Sequence, residues 1–108
     1  MPFHNPQERS TIDLVPGVRA RTFWGENMML SLVDLDANAV IPSHHHPHEQ
    51  VSYVLSGEMA FTVGEETRQV KAGDVVVIPG EAPHNVTVGP QPAQVLDVFS
   101  PPSEDMKY

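Results

Sequence analysis

Proline and glycine interrupt this chain so often that no long secondary-structure element has room to form. Eleven prolines and seven glycines are spread over 108 residues. The stretches between them are short and rich in Val, Ile, Leu, Thr and Phe, and none has the 3.6-residue apolar period of a helix. Because proline breaks helices and short β-branched stretches between turn residues are typical of strands, the sequence predicts an all-β protein with few helices or none.

Nine stretches have the length and composition of strands. They are predicted at Gly17–Trp24, Met28–Asp34, Ala39–His46, Gln50–Ser56, Glu58–Val63, Thr67–Lys71, Asp74–Ile78, His84–Val88 and Ala93–Phe99. A chain of this length has one hydrophobic core. So many short strands favour an antiparallel barrel, which leaves few exposed sheet edges. Gly57 and Gly64 are predicted to occupy turns between consecutive strands.

The two ends of the chain differ from its middle. Residues 1–11 and 101–108 are polar and proline-rich, and we predict that they are arms, either loose or lying across a neighbouring subunit, while residues 12–100 form the barrel. The first ten residues lack the pattern of a signal peptide, and no apolar stretch approaches the length of a membrane span. We therefore expect a soluble, cytoplasmic protein with no membrane partner.

Composition restricts the partners and the metal chemistry. Acidic residues outnumber basic ones by 14 to 6, which gives a formal charge of −8. Because no cluster of Lys or Arg can meet a phosphate backbone, nucleic acid is not an expected partner. The chain has no cysteine, so any bound metal must have nitrogen and oxygen ligands.

A histidine pair and a distant histidine form the main candidate site. His44 and His46 alternate along a predicted strand and therefore project from one face, whereas His45 projects from the other. Gln50 opens the next strand and can bring an amide oxygen to the same point, and His84 arrives from far along the chain. We predict that these ligands, His44, His46, Gln50 and His84, hold one divalent transition metal per chain: Zn, Ni, Fe or Mn.

The first part of this pattern resembles that of the cupins. Their motif of His, any residue, His, three or four residues, Glu, six residues and Gly is matched by His44, His46, Gln50 and Gly57, with Gln50 where the family usually has Glu. Glu49 is the other oxygen ligand to consider, but the six-residue gap to Gly57 favours Gln50.

The second cupin motif, Gly, five residues, Pro, any residue, Gly, two residues and His, is matched as well. Gly73, Pro79 and His84 occupy their positions, and the inner glycine is displaced by one residue to Gly80. The resemblance implies a single-domain antiparallel jelly-roll barrel with the metal inside, and a homodimer. His45 is then expected to face outward, and His48 to lie behind the ligands or at the surface.

A narrower resemblance is to the bacterial cupins of pectin and alginate breakdown, which linearise a 4,5-unsaturated monouronate to a 5-keto-4-deoxyuronate. It rests on glutamine in place of glutamate, on the run His-Pro-His-Glu-Gln at residues 46–50, and on Asp97-Val98-Phe99-Ser100-Pro101. The resemblance implies that Asp97 is catalytic and that Phe99 contacts the substrate. The arginine of that family, a few residues later, is Ser103 here.

The charge of the predicted site favours an anionic ligand. Three neutral imidazoles and a neutral amide leave a divalent ion near +2, whereas a carboxylate ligand would leave it near +1. Such an ion anchors a sugar acid well. Arg19 and Arg21 alternate on an early strand and are predicted to bind the substrate carboxylate, since guanidinium groups pair with carboxylates bidentately.

Strand alternation puts Asp97 on one face with Val95 and Phe99. In an apolar cavity, burial would raise the pKa of this acid and make it a general acid or base. The alternative is an acid that bonds backbone amides at a strand end.

The sequence leaves three functions open for the whole chain. They are a metal-dependent enzyme acting on a sugar acid, a metal-dependent cupin oxygenase, and a non-catalytic protein that binds a small anion.

Overall fold

The computed structural model describes residues 2–108 and contains ten β-strands and two single-turn 3-10 helices. In chain order the strands are β1 (Ile12–Val15), β2 (Val18–Trp24), β3 (Met29–Leu35), β4 (Val40–His44), β5 (Glu49–Ser56), β6 (Glu58–Val63), β7 (Glu66–Lys71), β8 (Val75–Ile78), β9 (His84–Val88) and β10 (Ala93–Ser100). The 3-10 helices span Pro6–Glu8 and Glu104–Met106. Within residues 2–108, no helix has the length and apolar character needed to cross a membrane.

The strands form two antiparallel sheets. One has six strands in the order β1-β2-β3-β10-β5-β8, and the other has four in the order β4-β9-β6-β7. Strands far apart in sequence are neighbours, as with β3 beside β10 and β4 beside β9. These crossovers are those of a jelly roll, so the predicted all-β, antiparallel jelly-roll fold is confirmed.

Apart from one-residue shifts at several strand ends, the strands differ from the prediction in two places. Strand β1 is not predicted, because Ile12–Val15 is short, includes an aspartate and is bounded by Pro16-Gly17; it pairs only with β2, at the edge of the sheet. Strand β4 ends at His44 and not at His46, because the residue paired with His44, His84, is the first residue of β9. His45 and His46 therefore lie in the loop that follows the strand.

Alternation along β5 and its neighbours positions the site. Gln50, Ser52 and Val54 are buried between the sheets, while Tyr53 and Leu55 face outward. Most of the interior is filled by apolar side chains, including Val18, Val33, Leu35, Met59, Phe61, Val86 and Val95. The buried polar side chains are Thr22, Ser31, Gln50, Ser52 and His84. All but His84 lie on strands β2, β3 and β5 of the six-stranded sheet, so the interior has a polar band beside the apolar core.

Both arms pack against β2 of their own chain. The guanidinium of Arg9 donates to the carbonyl oxygen of Thr22 and lies 3.9 Å from the centre of the Tyr108 ring. The hydroxyl of Thr22 donates to the carbonyl oxygen of Met106 over 2.6 Å, and the hydroxyl of Tyr108 donates to the carbonyl of Ser10. The N-terminal and C-terminal arms therefore hold each other at one end of the barrel.

Gly57→Ala is expected to destabilise the protein strongly. Gly57 has φ +79°, and a Cβ added there would lie 2.7 Å from Cβ of Ala93 and 2.9 Å from its Cα. We expect the free energy of unfolding to fall by about 3 kcal/mol in urea titrations. Gly64→Ala is the matched control: Gly64 also has positive φ, with nothing within 4 Å of an added Cβ, and should cost about 1 kcal/mol. Equal losses would show that the close approach to Ala93 is unimportant.

Candidate metal centre

Three histidines converge at one end of the barrel. His44 ends β4 and pairs in register with His84 at the start of β9, and His46 reaches them from the loop after β4. The ring centres of His44 and His84 lie 4.2 Å apart, and those of His46 and His84 lie 4.9 Å apart. One nitrogen from each ring lies within 4.8 Å of the other two. The three imidazoles are thus close enough to share one ion.

Backbone carbonyl groups fix the same tautomer in all three rings. Nδ1 of His44 lies 2.9 Å from the carbonyl oxygen of Pro42, Nδ1 of His46 lies 3.0 Å from that of His48, and Nδ1 of His84 lies 2.9 Å from that of Ala82. Because a carbonyl oxygen only accepts, each Nδ1 carries the proton and each Nε2 keeps its lone pair in the neutral ring. Every ring therefore offers Nε2 as a metal ligand.

The Nε2 atom of His84 shows that the donor set fits a metal. It is buried and has no hydrogen-bond partner, which is costly for a polar atom away from water. Burial lowers the pKa of His84, the hydrogen bond to Ala82 offsets part of this effect, and His44 and His46 make smaller contributions that lower it further. A neutral ring with a free, buried lone pair is the form that a metal ion binds.

Gln50 adds an oxygen to the same point. Its side chain is buried, and Oε1 lies 3.1 Å from Nε2 of His46. With Nδ1 of His46 protonated, both of these atoms present lone pairs to each other, an arrangement that a cation between them stabilises. Glu49, the alternative oxygen donor, is exposed, because the alternation of β5 directs it away from the interior. The structure thus brings Gln50 and the three histidines together.

Asp97 lies beside this group and is held by Ser52. The hydroxyl of Ser52 donates to Oδ1 of Asp97 over 2.6 Å, and Nε2 of Gln50 donates to the same hydroxyl over 3.0 Å. Burial raises the pKa of Asp97 to about 6, against the smaller lowering effects of Ser52, Gln50 and His46. Asp97 is partly exposed, and it lines the cavity beside the histidines. A carboxyl with this pKa is suited to proton transfer near neutral pH.

A cavity of about 600 Å³ opens beside the histidines. Phe99 lines it, with its ring 5.8 Å from that of His46 and nearly perpendicular to it. Apolar side chains of both sheets form the deeper wall, and Ser103, Asp105 and Met106 of the C-terminal arm line the cavity as well. Its lining, within residues 2–108, includes no arginine or lysine.

Arg19 and Arg21 are not where the predicted substrate role requires them. They lie on the outer face of β2, because Val18, Ala20 and Thr22 take the inward positions. Arg19 pairs with Asp36 over 3.1 Å, and Arg21 pairs with Asp34 over 2.9 Å. Neither lines the cavity, so the structure contradicts their prediction as substrate contacts.

His45 and His48 lie outside the histidine triad. His45 is exposed, and its Nδ1 is 3.5 Å from a carboxylate oxygen of Glu81. His48 lines the cavity and supplies the carbonyl that orients His46. Glu81 occupies the position of the motif's inner glycine and has φ +67°, in the left-handed region that glycine adopts most readily. Its N–H donates to the carbonyl of His46 over 2.7 Å.

Ser52 is the site residue to which the sequence assigned no role. The available signal is its position two residues after Gln50, because residues i and i+2 of a strand share a face. A serine on the ligand face of a buried strand is a candidate hydrogen-bond partner for the ligand. The partner across the sheet, Asp97 on β10, cannot be deduced from that spacing.

Comparison with known proteins gives consistent matches. A cupin domain model, Cupin_2, matches residues 31–99. The pectin degradation protein KdgF of Dickeya dadantii is 26% identical over an alignment of 95 residues that covers 86% of each chain. The structure of KdgF from a Halomonas species superposes with a TM-score of 0.91 at 28% identity over 99% of both chains. An RmlC-like cupin of Shewanella frigidimarina gives 0.92 at 27% identity over 99% of this chain and 96% of the other.

Proposed function

The chain belongs to the cupin domain family, and from this membership and the geometry of its cavity we propose that it is a metal-dependent enzyme that linearises a 4,5-unsaturated uronate. One divalent transition metal per chain, Zn, Ni, Fe or Mn, would be held by Nε2 of His44, His46 and His84 and by Oε1 of Gln50. The observation that carries the proposal is the buried, unpartnered Nε2 of His84 beside two matching histidines. The KdgF relatives supply the substrate class.

The ligand set favours a substrate with a carboxylate. When bound, a divalent ion supplies Lewis acidity and positive charge, polarising substrate oxygens. Gln50 and the neutral histidines leave that charge uncompensated. Because the cavity lining described here has no arginine or lysine, hydrogen-bond donors such as the hydroxyl of Ser103 would assist in holding the anion.

Asp97 is the proposed proton carrier. Linearisation breaks the bond between C1 and the ring oxygen, removes the proton of the anomeric hydroxyl and adds a proton at C4 as the enol becomes the 5-ketone. The change is an isomerisation and needs no co-reactant. Asp97 would take the first proton and return one at C4, since its raised pKa lets it serve in both forms near neutral pH. Phe99 would pack against the sugar ring and exclude water from the cavity.

The test is an absorbance assay with the metal-loaded protein. A 4,5-unsaturated monouronate has a conjugated chromophore that is lost on linearisation, so its ultraviolet absorbance should fall faster with the enzyme than without it. The same protein treated with a chelator is the control and should fall back to the spontaneous rate. A metal-loaded protein no faster than the spontaneous reaction would refute the proposed activity.

A homodimer is proposed through the outer face of the six-stranded sheet. Apolar side chains from four adjacent strands form this outer apolar face: Leu30, Leu32, Val51, Tyr53, Val75, Val77, Leu96 and Val98. Several are well exposed, with Val77 at 59% and Tyr53 at 42%, which is unusual for contiguous side chains in a monomer. At a formal charge of −8, two copies repel each other except where they meet through an uncharged face that is complementary to itself.

Tyr53→Asp should therefore dissociate the dimer, because it places a charge at the centre of the outer apolar face. Analytical ultracentrifugation should give about twice the chain mass of 11.9 kDa for the wild type, and the chain mass for the variant. Gln69→Asp, an exposed position on β7 of the other sheet, is the matched control and should remain dimeric. A wild-type monomer at micromolar concentration would contradict the proposed interface.

A further inference from the structure

We propose that Ser52 is a positioning residue that determines which end of the Gln50 amide faces the histidines. The inference rests on the proposed metal site. It concerns a requirement that arises because this chain has glutamine where a carboxylate is usual. A carboxylate presents an oxygen in either orientation, whereas an amide presents an oxygen at one end and an N–H donor group at the other, and only the oxygen binds a cation.

The direction of one hydroxyl proton fixes the orientation. Ser52 has a single hydroxyl proton, which it donates to Oδ1 of Asp97 over 2.6 Å. Its oxygen can therefore only accept from Gln50, and Nε2 of Gln50 donates to it over 3.0 Å. Oε1 of Gln50 is left to face Nε2 of His46 at 3.1 Å.

The reversed amide is disfavoured at Ser52. With the amide turned round, Oε1 of Gln50 would face the Ser52 oxygen at hydrogen-bond distance with no proton between them, because that proton is donated to Asp97. Ser52 is fully buried and Gln50 is 6% exposed, so bulk water does not compensate for the lost hydrogen bond. The carboxylate of Asp97 thus acts on Gln50 through the Ser52 hydroxyl, in addition to the direct interaction by which Gln50 lowers the pKa of Asp97.

Strand pairing fixes the positions of Gln50, Ser52 and Asp97 relative to one another. Gln50 and Ser52 are two residues apart on the inward face of β5, and Ser52 lies directly opposite Asp97 on β10. Ser31 lies opposite Asp97 on the other side, on β3, and is also fully buried, but its hydroxyl has no partner. Ser31→Ala removes the same atom from the same row without affecting Gln50, so it is the matched control.

The test is the affinity for Zn²⁺ alone, measured by competition with a chromophoric chelator. Ser52→Ala should bind Zn²⁺ about 10–100-fold more weakly than the wild type, as expected when a hydrogen bond that orients a ligand is lost. Ser31→Ala should match the wild type. In a Gln50→Glu background, Ser52→Ala should change the affinity only a few-fold, because a carboxylate presents an oxygen in either orientation.

The other possible results distinguish a failure of the Ser52 inference from a failure of the proposed metal site. Equal losses from Ser52→Ala with and without the Gln50→Glu substitution would overturn the inference, because Ser52 would then act only through general packing. An unchanged affinity in Ser52→Ala would also overturn it, while leaving the metal site intact. A wild type that binds no Zn²⁺ would instead refute the proposed metal site. If Ser52→Ala does not fold, Ser52→Cys carries the same expectation, since a thiol of similar size is a poor hydrogen-bond partner.

Discussion

Purified His84→Ala should contain almost no bound metal when it is loaded and desalted as the wild type is. His84 offers a buried Nε2 with no other partner, and its loss removes one of four proposed ligands. The affinity should therefore fall further than it does on loss of a supporting residue, which costs about 10–100-fold. Elemental analysis should give about one metal per chain for the wild type. Added metal should raise the melting temperature of the wild type and leave that of the variant unchanged.

His48→Ala is the matched control for this experiment. His48 lines the same cavity but lies outside the histidine triad, and the carbonyl with which it orients His46 belongs to the backbone, so the substitution keeps it. The variant should retain about one metal per chain. Near-stoichiometric metal in His84→Ala, or loss of metal in His48→Ala, would show that the proposed ligand set is wrong.

Asp97→Asn should remove most of the catalytic activity while making the metal-free protein more stable above pH 6. Loss of a general acid or base typically lowers the rate by about 10²–10⁴-fold. Metal content should be retained, because Asp97 is not a proposed ligand and the side-chain oxygen of an asparagine can still accept the hydrogen bond from Ser52. Burial raises the pKa of Asp97 from an ordinary value of 3.8 to about 6. The folded state therefore disfavours the ionised form, and the asparagine variant avoids this cost.

The raised pKa of Asp97 determines how the stability difference between the wild type and Asp97→Asn changes with pH. Below about pH 4, Asp97 is protonated in the folded and unfolded states, and the two proteins should unfold with similar free energies. Between pH 4 and pH 6 the wild type should lose stability relative to Asp97→Asn. Above pH 6 the difference in unfolding free energy between the two proteins should be constant, at most about 3 kcal/mol. Urea titrations in a chelator across this range measure it, and a variant that is less stable than the wild type at pH 8 would contradict the burial of the charge.

The strands were predictable because their signals are local. Short apolar stretches between proline and glycine predict nine of the ten strands, and Gly57 lies in the predicted turn between β5 and β6, with positive φ. The missed strand, β1, has little local signal. Its existence depends on pairing with β2, which is a contact between chain segments and not a property of four residues.

The site was partly predictable because the spacing of its histidines is visible in the sequence. Spacing indicated that His44, His46 and His84 belong together, and the structure places them in one group. Strand alternation alone does not say which face is internal, so it cannot show that Arg19 and Arg21 lie on the outer face of β2, away from the cavity. The inward face of β2 is indicated by the small apolar residues that alternate with these arginines, Val18 and Ala20. The packing of both arms on β2 also could not be predicted, because the contacts of Arg9 with Tyr108 join opposite ends of the chain.

The most direct measurement is an anomalous difference map from crystals of the metal-loaded protein, collected at the absorption edge of the bound metal. We expect one peak per chain, about 2.0–2.2 Å from Nε2 of His44, His46 and His84, with Oε1 of Gln50 as the oxygen ligand. A peak bound through other side chains, such as His48 or Glu49, or the absence of any peak between the three histidines, would contradict the account.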